Sequence, residues 1–508
     1  MLRTIRISLA LICFTLITLL FLDFTGTLHA WFGWLARIQF LPALLAVDAG
    51  IVAALVILTL LLGRVYCSVI CPLGVFQDIV AWLGRRPKRR KLPYSYSPAL
   101  SWLRYGMLGL FVAALVAGIG SLAALLAPYS AYGRMAANLF QPLWIWGNNL
   151  LAYIAERMGS YAFYTVDVWI KSLGTFIVAA LTFVVLALLA WRNGRTWCNT
   201  VCPVGTILGF LSRYSLFRIV IDPAKCNTCS LCSRHCKAAC IDYKAHRIDH
   251  SRCVACMDCI GKCRHGAIGY RLRRKADAPR PASDGPAVQE SAQAAGDRAG
   301  ISRRGFLSLA ALFATTAIAR AQEKKVDGGL ALIEDKKIPD RATPIVPPGA
   351  QSWRHMTQHC TGCQLCVSAC PNGVLRPSAG LTTLMQPEMS YERGYCRPEC
   401  TKCSEVCPTG AIRAVTAADK AAIQIGHAVW VRDNCVPLTD GVACGNCARH
   451  CPTGAILMVS SDPANPDALK IPTVNTERCI GCGACENLCP ARPFSAIYVE
   501  GHTVHRIV

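Results

Sequence analysis

The stretches CNTCSLCSRHC at 226–236 and CVACMDCIGKC at 253–263 decide the fold of the middle of the chain. Both have the spacing C-x2-C-x2-C-x3-C. In such a run, three closely spaced thiolates surround one iron–sulfur cubane, and the fourth cysteine ligates a neighbouring cluster. Zinc sites instead use separated C-x2-C pairs around one tetrahedral ion. The spacing therefore predicts a module with two [4Fe–4S] clusters over residues 216–272.

The last cysteine of each stretch is expected to complete the cluster of the other stretch. The two predicted ligand sets are Cys226, Cys229, Cys232 with Cys263, and Cys253, Cys256, Cys259 with Cys236. No proline follows Cys236 or Cys263, which departs from the commonest form of this run. Cys240 is an additional thiol that could compete with Cys236 as a ligand.

Residues 323–508 contain four further cysteine runs, and each of them ends in C-x3-C-P. Their predicted ligands are Cys360, Cys363, Cys366 and Cys370; Cys396, Cys400, Cys403 and Cys407; Cys435, Cys444, Cys447 and Cys451; and Cys479, Cys482, Cys485 and Cys489. Four copies of one unit predict four more [4Fe–4S] clusters, which makes six in the chain. The first run could pair with the fourth and the second with the third, or the runs could pair in sequence order. Disulfides are the alternative in an oxidising compartment, but the triplet spacing leaves adjacent thiols without suitable distant partners.

The composition of the chain indicates membrane spans. Of its 508 residues, 53% are hydrophobic and 16% are charged, and the mean hydropathy is +0.35. A soluble domain typically has about 25% charged residues. These values exclude a disordered or fibrous chain. The chain lacks C-x-x-C-H, P-loop and dinucleotide motifs, which excludes covalently attached haem and argues against nucleotide sites of those kinds.

Four apolar runs are long enough to cross a bilayer, which requires about 20 residues. They cover 7–23, 40–62, 105–127 and 173–191. The loop 64–104 carries eight Lys and Arg residues, whereas the loops 24–39 and 128–172 carry one and three. The positive-inside rule therefore predicts a four-helix transmembrane bundle over 1–215, with a cytoplasmic N-terminus. The same rule explains most of the formal net charge of +23 without nucleic-acid binding.

One cysteine motif occurs twice in this membrane half. GRVYCSVICPLG at 63–74 follows the second apolar run, and GRTWCNTVCPVG at 194–205 follows the fourth. Cysteines four residues apart on a helical turn face the same way. Cys67, Cys71, Cys198 and Cys202 could therefore form an additional metal or redox centre, or they could be structural thiols. The aromatic loop 128–172 is expected to form interfacial helices at the outer face, either as an anchoring belt or as a lid over a quinone pocket.

The segment SRRGFLSLAALFATTAIARAQ at 302–322 matches a twin-arginine export signal. A Pro- and Ala-rich linker, 273–300, precedes this signal at 301–322. An apolar stretch of 15 residues at 305–319 is short for a span but suits a signal, and Ala319-Arg320-Ala321 offers a cleavage site whose use the sequence leaves open. The domain 323–508 is therefore expected to be periplasmic and exported by the twin-arginine machinery.

The bundle with its two C-x3-C-P motifs and the two-cluster module resembles the membrane polyferredoxin of the periplasmic nitrate reductase system (NapH-type). Residues 302–508 resemble its exported partner (NapG-type), and the accessory ferredoxins of methylamine dehydrogenase are similar as well. The departure from these families is that both parts lie on one chain. The resemblance implies a four-helix transmembrane bundle joined to α+β bacterial-ferredoxin-type modules in a bacterial inner membrane. It also implies a quinol dehydrogenase that delivers electrons to a periplasmic acceptor.

The residues agree with an electron carrier, since no terminal reductase motif is found. Quinol from the membrane quinone pool is the expected donor, and a periplasmic cytochrome or reductase is the expected acceptor. Quinol oxidation requires a proton acceptor, for which Asp23, His29 and Asp48 are candidates, although each could be a helix cap or a solvated loop residue. A maturation factor for a periplasmic oxidoreductase is the alternative. A redox sensor is less favoured, because no output domain is left over.

Overall fold

The computed structural model describes residues 2–84, 94–273 and 334–507, together with the backbone of 326–327 and 331–332. The chain divides into two compact units, of which the first contains 1–273, 338–491 and 495–508. The second contains 274–337 and 492–494, and its described hairpin pairs β5 Val326–Asp327 with β6 Ala331–Leu332. The predicted signal at 301–322 lies outside the described residues, as does the linker 273–300 apart from its first residue.

Helices dominate the first 273 residues. They are α1 Leu2–Leu22, α2 Thr27–Phe32, α3 Trp34–Arg37, α4 Phe40–Leu45, α5 Ala49–Leu62, α6 Val65–Val69, α7 Pro72–Leu83, α8 Ser101–Val116, α9 Gly120–Leu126, α10 Pro128–Met135, α11 Gln141–Arg157, α12 Leu173–Asn193, α13 Thr196–Thr200, α14 Pro203–Ser212 and α15 Leu231–Arg234. A π-helical turn, Ala136–Phe140, joins α10 to α11, and a 3-10 turn covers Ile260–Lys262.

Two of the four apolar runs form single helices that are long and apolar enough to cross a membrane. These helices are α1 and α12, with 21 residues each. The run 40–62 is divided between α4 and α5 because Val47 adopts a positive φ of 57° and Asp48 caps α5. The run 105–127 is divided between α8 and α9 at Gly118, whose φ is 71°. Among the described residues only α1 and α12 meet this length criterion, so a bundle of four spans stays a prediction.

The two copies of the cysteine motif have the same local structure. Each has a five-residue helix, α6 or α13, followed by a longer helix that begins at the proline, α7 or α14. Proline suits the first helical position because its missing N–H would have no partner there. Helix α7 packs against α12 of the second copy, and α14 packs against α5 of the first. The duplicated halves are therefore interlocked.

The prediction that residues 128–172 form interfacial helices is wrong for α10, the first helix of this range. All eight residues of α10 are buried, and this helix packs against α7 and α12. On this helix, Gly133 lies against Phe21 of α1 and the Cys363 carbonyl, where a Cβ would not fit. In contrast, α11 leaves Trp144 and Trp146 nearly half exposed, as an interfacial helix would.

The two cysteine-rich regions combine short helices with small antiparallel sheets. In the first region, β1 Phe217–Ile221 pairs with β4 Ile268–Leu272, and β2 Ile241–Asp242 pairs with β3 Arg247–Ile248. In the second, β7 Leu375–Pro377 pairs with β8 Pro387–Met389, β9 Ile423–Trp430 with β12 Ile497–Ile507, and β10 Ile456–Asp462 with β11 Asn465–Val474. Its helices are α16 Trp353–His359, α17 Leu365–Ala369, α18 Lys402–Val406, α19 Ala417–Ala422, α20 Val436–Thr439, α21 Asn446–Arg449 and α22 Ala484–Leu488.

The two cysteine-rich regions contact opposite ends of α1. At its N-terminal end, Arg3 Nε donates to Asp258 Oδ1 at 2.8 Å. At its C-terminal end, Phe21 and the Cys363 carbonyl both lie against Gly133. A helix of 21 residues is about 30 Å long, which is close to the thickness of the hydrocarbon core of a bilayer.

The second cysteine-rich region is joined to the helical part by specific polar contacts. Asn138 Nδ2 donates to Gln364 Oε1 at 2.7 Å, and Lys171 Nζ donates to the Val367 carbonyl at 3.0 Å. The Trp169 ring stacks against two guanidinium groups, those of Arg376 at 4.4 Å and Arg393 at 4.8 Å from its centroid. Residues 128–172 therefore connect this region to the bundle.

Candidate functional site

The first cysteine-rich region brings its predicted ligands together around a cavity. Cys226, Cys229, Cys232 and Cys263, here named set A, line a small pocket together with Tyr243 and His265. The loop turns tightly here, with positive φ values of 55° at Thr228 and 60° at Ser230. The fourth member of set A comes from the other stretch, as expected.

The second group in this region is set B, which contains Cys253, Cys256, Cys259 and Cys236. These thiols lie close enough together for their charges to interact. The additional thiol Cys240 lies next to set B, because its Sγ is 3.5 Å from Cys236 Sγ. Burial raises the pKa of Cys256 to about 12, although Lys237 acts in the opposite direction. This thiol is therefore protonated at neutral pH unless a metal displaces its proton.

The runs of the second cysteine-rich region pair in sequence order. Cys360, Cys363, Cys366 and Cys407 form set C and line one small pocket. Cys396, Cys400, Cys403 and Cys370 form set D. Cys435, Cys444, Cys447 and Cys489 form set E, and Cys479, Cys482, Cys485 and Cys451 form set F. The structure does not show the other arrangement, in which the first run pairs with the fourth and the second with the third.

Sets D and F are neighbours, which links the two pairs of runs. The backbone N–H of Cys396 in set D donates to the carbonyl of Cys482 in set F at 2.9 Å. The buried Tyr391 hydroxyl donates to the Gly481 carbonyl at 2.7 Å beside this contact. The four sets of this region therefore follow one another in the order C, D, F and E.

Buried donors beside set C fit a bound iron–sulfur cluster. Arg134 is fully buried, and its Nε and Nη2 groups have no hydrogen-bond partner, as is also true of the Tyr129 hydroxyl. Both side chains lie within electrostatic range of Cys363. Within the described ranges no carboxylate forms an ion pair with Arg134, so the negative charge of an all-cysteine cluster is a suitable counter-charge. Among the residues that the structure describes, no three His, Cys, Asp or Glu side chains are placed to hold a single metal ion.

The four thiols of the repeated motif are buried at the interface of the two interlocked halves. Cys67, Cys71, Cys198 and Cys202 are each at most 4% exposed. Each motif is held by the arginine of the other, since Arg195 Nη1 donates to the Cys67 carbonyl at 2.6 Å and Arg64 Nη2 donates to the Cys198 carbonyl at 3.3 Å.

The motif thiols accept hydrogen bonds, among them one of 3.8 Å from Arg64 Nη2 to Cys67 Sγ. Gln77 Nε2 donates to Cys198 Sγ at 3.3 Å, and the Gly205 N–H donates to Cys202 Sγ at the same distance. What these four thiols bind stays a prediction.

The structure brings two of the three candidate proton acceptors together and separates the third from them. Asp23 Oδ2 lies 3.3 Å from His29 Nδ1, just beyond the C-terminal end of α1. Asp48 instead caps α5, because its Oδ1 accepts from the Ile51 N–H at 3.1 Å. Within the described residues no hydrogen bond joins Asp48 to either member of the pair.

Comparison with known families supports iron–sulfur chemistry in four stretches of the chain. Residues 49–91 and 174–221 match the family described as "4Fe-4S binding domain". Residues 359–412 and 441–492 each match the family described as "4Fe-4S dicluster domain", which agrees with the pairing of runs in sequence order. The chain is therefore a ferredoxin-type protein with 4Fe-4S binding domains.

The curated relatives identify the family more closely. The methylamine utilization ferredoxin-type protein MauM of Methylobacillus flagellatus is 32% identical over 166 residues, which cover 32% of this chain and 70% of the relative. The chain belongs to this family of ferredoxin-type proteins. The ferredoxin-type protein NapH of Haemophilus influenzae is 32% identical over 37% of this chain, and the putative electron transport protein YccM of Escherichia coli is 24% identical over 39%. The chain spans about half the length of NapH and YccM.

These matches confirm the resemblance to NapH-type proteins and to the ferredoxin-type proteins of methylamine utilization. The fusion of a membrane subunit and an exported subunit stays a prediction. No solved structure matches this chain. Sequence reasoning missed Arg134 and Tyr129, although an arginine in an aromatic loop with only three Lys and Arg residues was a usable signal.

Proposed function

We propose that this chain is a membrane-bound iron–sulfur protein that takes electrons from quinol and delivers them to a periplasmic cytochrome or reductase. The observation that carries this proposal is the arrangement of the cysteines. Six groups of four thiols lie in two regions, which contact opposite ends of α1. The iron–sulfur families matched by the chain and the electron-transport name of one relative support the same function.

The residues that would hold six [4Fe–4S] clusters are those of sets A to F. Such clusters supply one-electron chemistry. Around them the chain provides buried walls, the Cys396–Cys482 contact between neighbouring sets, and the cationic side chains of Arg134 and Lys237. The order C, D, F, E suits transfer from the bundle toward the outer end of the second region.

The contacts of the chain also support the proposed orientation. Set B lies beside Arg3, Arg6 and Lys237, at the end of α1 that the positive-inside rule predicts to be cytoplasmic. The second region contacts Arg37 and Lys171, which belong to the sparsely charged loops. A bacterial inner-membrane protein with sets A and B inside and sets C to F in the periplasm accounts for both observations, with export of the second region by the twin-arginine machinery.

Quinol-dependent reduction in membrane vesicles tests this function. Anaerobically purified protein should contain about 24 iron atoms per chain, four for each set. Addition of quinol should bleach the cluster absorbance in repeated turnovers when an oxidised periplasmic cytochrome is supplied. Zinc in place of iron would contradict the cluster assignment. Full iron content without quinol-driven bleaching would instead favour the alternative of a maturation factor for a periplasmic oxidoreductase.

A further inference from the structure

The pair formed by Asp23 and His29 is organised as a proton acceptor. Their side chains are only 3% and 8% exposed. Asp23 is fixed by its surroundings, because its Oδ1 accepts from the N–H groups of Thr25 and Gly26 at 3.0 and 2.8 Å, and its Oδ2 accepts from that of Leu28 at 2.8 Å. A carboxylate held in this way selects the tautomer in which His29 Nδ1 carries the proton. Nε2 is then the free acceptor.

No group in the described part of the protein donates a hydrogen bond to His29 Nε2. His29 Nε2 is buried and has no hydrogen-bond partner. A buried polar atom without a partner costs free energy, so such atoms at functional sites call for a ligand that supplies the missing bond. The ligand must present a hydroxyl or N–H group.

The surroundings of the pair suit a lipid-soluble ligand on one side and electron acceptors on the other. Trp31 and Trp34, on the segment that follows the pair, are 78% and 56% exposed and present aromatic surface. Residues 26–37 contact α18, since Gly26 lies against Lys402 and Arg37 Nη2 donates to the Glu405 carbonyl at 3.3 Å. Cys403 of set D lies on α18 between these two contact residues.

We propose that His29 Nε2 accepts the proton of a quinol hydroxyl at the end of α1 that faces sets C and D. This inference rests on the proposed function. The quinol O–H bond breaks and its proton moves to Nε2, while a cluster held by set C or D would take up the electron that is released. Asp23 stabilises the resulting imidazolium. After His29 has released this proton to the outer aqueous side, the second hydroxyl reacts in the same way, and quinone departs with two electrons and two protons fewer.

The test compares His29→Gln with the parental protein in vesicles that contain reduced quinol. General base catalysis is worth about 100-fold or more, so cluster bleaching in this variant should slow by at least about 100-fold. Reduction of the same vesicles by dithionite should be unchanged, which shows that the clusters have assembled. Asp23→Asn should also slow bleaching, because an amide that donates to Nδ1 selects the wrong tautomer. Asp48→Asn is the matched control, since asparagine caps a helix as well as aspartate, and it should bleach at the parental rate.

The outcomes separate the two proposals. Quinol-driven bleaching of the parental protein together with an unchanged rate in His29→Gln would overturn the role of this pair and leave the proposed function intact. Failure of the parental protein to bleach with quinol would overturn the proposed function itself. A slow Asp48→Asn variant would indicate that the quinol reacts at the start of α5 instead.

Discussion

Arg134 shows how one buried side chain can set the properties of a neighbouring metal centre. Its guanidinium donates from Nη1 to the Ala124 carbonyl at 2.7 Å, whereas Nε and Nη2 have no partner in the described protein. Charge and hydrogen bonds to the sulfurs are among the factors that set the reduction potential of an iron–sulfur cluster. A cation beside set C should therefore favour the reduced cluster there.

Replacing Arg134 with glutamine should shift one cluster signal to a more negative midpoint potential and leave the others in place. The physical reason is the loss of a buried positive charge close to Cys363. Redox titration monitored by electron paramagnetic resonance measures this shift. Arg157→Gln is the control, because Arg157 lies over the Tyr153 ring on α11, away from the cysteine sets. Unchanged potentials in both variants would show that Arg134 only supports packing.

Gly205 lies where the structure leaves no room for a larger side chain. A Cβ at this position would meet the Cys198 carbonyl and approach Arg64 Nη2 to 3.0 Å. Gly205→Ala should therefore lower the free energy of unfolding by roughly 1–3 kcal/mol, as overpacking does in a dense core. Thermal unfolding of the detergent-solubilised protein measures the effect. Gly106→Ala on α8 has nothing within 4 Å of its Cβ and should not lower the unfolding temperature.

At the scale of elements, Asp78 on α7 joins three parts of the chain. It accepts from Arg195 Nε at 2.7 Å, from Arg6 Nη1 at 3.0 Å and from Lys237 Nζ at 3.1 Å. These cations come from the start of α13, from α1 and from the first cysteine-rich region. Several cations around one buried carboxylate form a network whose centre cannot be removed without leaving charges uncompensated.

Asp78→Asn should release the first cysteine-rich region from the bundle. Breaking a buried ion pair costs about 3–5 kcal/mol, because the remaining charges stay desolvated without a partner. Limited proteolysis should then cleave near residue 216 or 273 in the variant but not in the parental protein. Asp242→Asn is a suitable control, since Asp242 is a turn residue whose Oδ1 accepts two backbone N–H bonds that asparagine can also accept. Equal protease resistance of the two variants would contradict this role of Asp78.

The elements also show what could be predicted from the sequence. The membership of sets A and B could be predicted because three ligands of each lie within seven residues, so that local spacing fixes the geometry. The helix breaks at Val47 and Gly118 within the two apolar runs could not be predicted, because hydropathy reflects composition and not backbone conformation. The burial of α10 was missed for a related reason. Its partners are α7, α12 and set C, and Cys363 lies more than 200 residues away in the sequence.

At the scale of the whole molecule, the two groups of cysteine sets lie at opposite ends of a helix about 30 Å long. Electron tunnelling falls off steeply with distance, so the two groups are not expected to exchange electrons directly. The proposed quinol site lies at the end that carries sets C to F. The four motif thiols lie at the other end, where Arg64 joins them to the first region by donating to the Ser251 carbonyl at 3.0 Å.

This arrangement predicts a selective effect of replacing Cys67 and Cys198 with serine. Serine keeps the size of the side chain but loses the soft thiolate that binds iron or exchanges electrons. If the thiols connect the bundle to sets A and B, quinol should still bleach about two-thirds of the cluster absorbance at the parental rate, because four of the six proposed clusters would lie at the end of the proposed quinol site. Only the remaining third should become slow. Stopped-flow bleaching measures both phases, and dithionite gives the total. If the bleaching assigned to sets C to F were also lost, the motif thiols would lie before these sets on the path of the electrons. If the bleaching assigned to sets A and B kept its parental rate, these thiols would be structural.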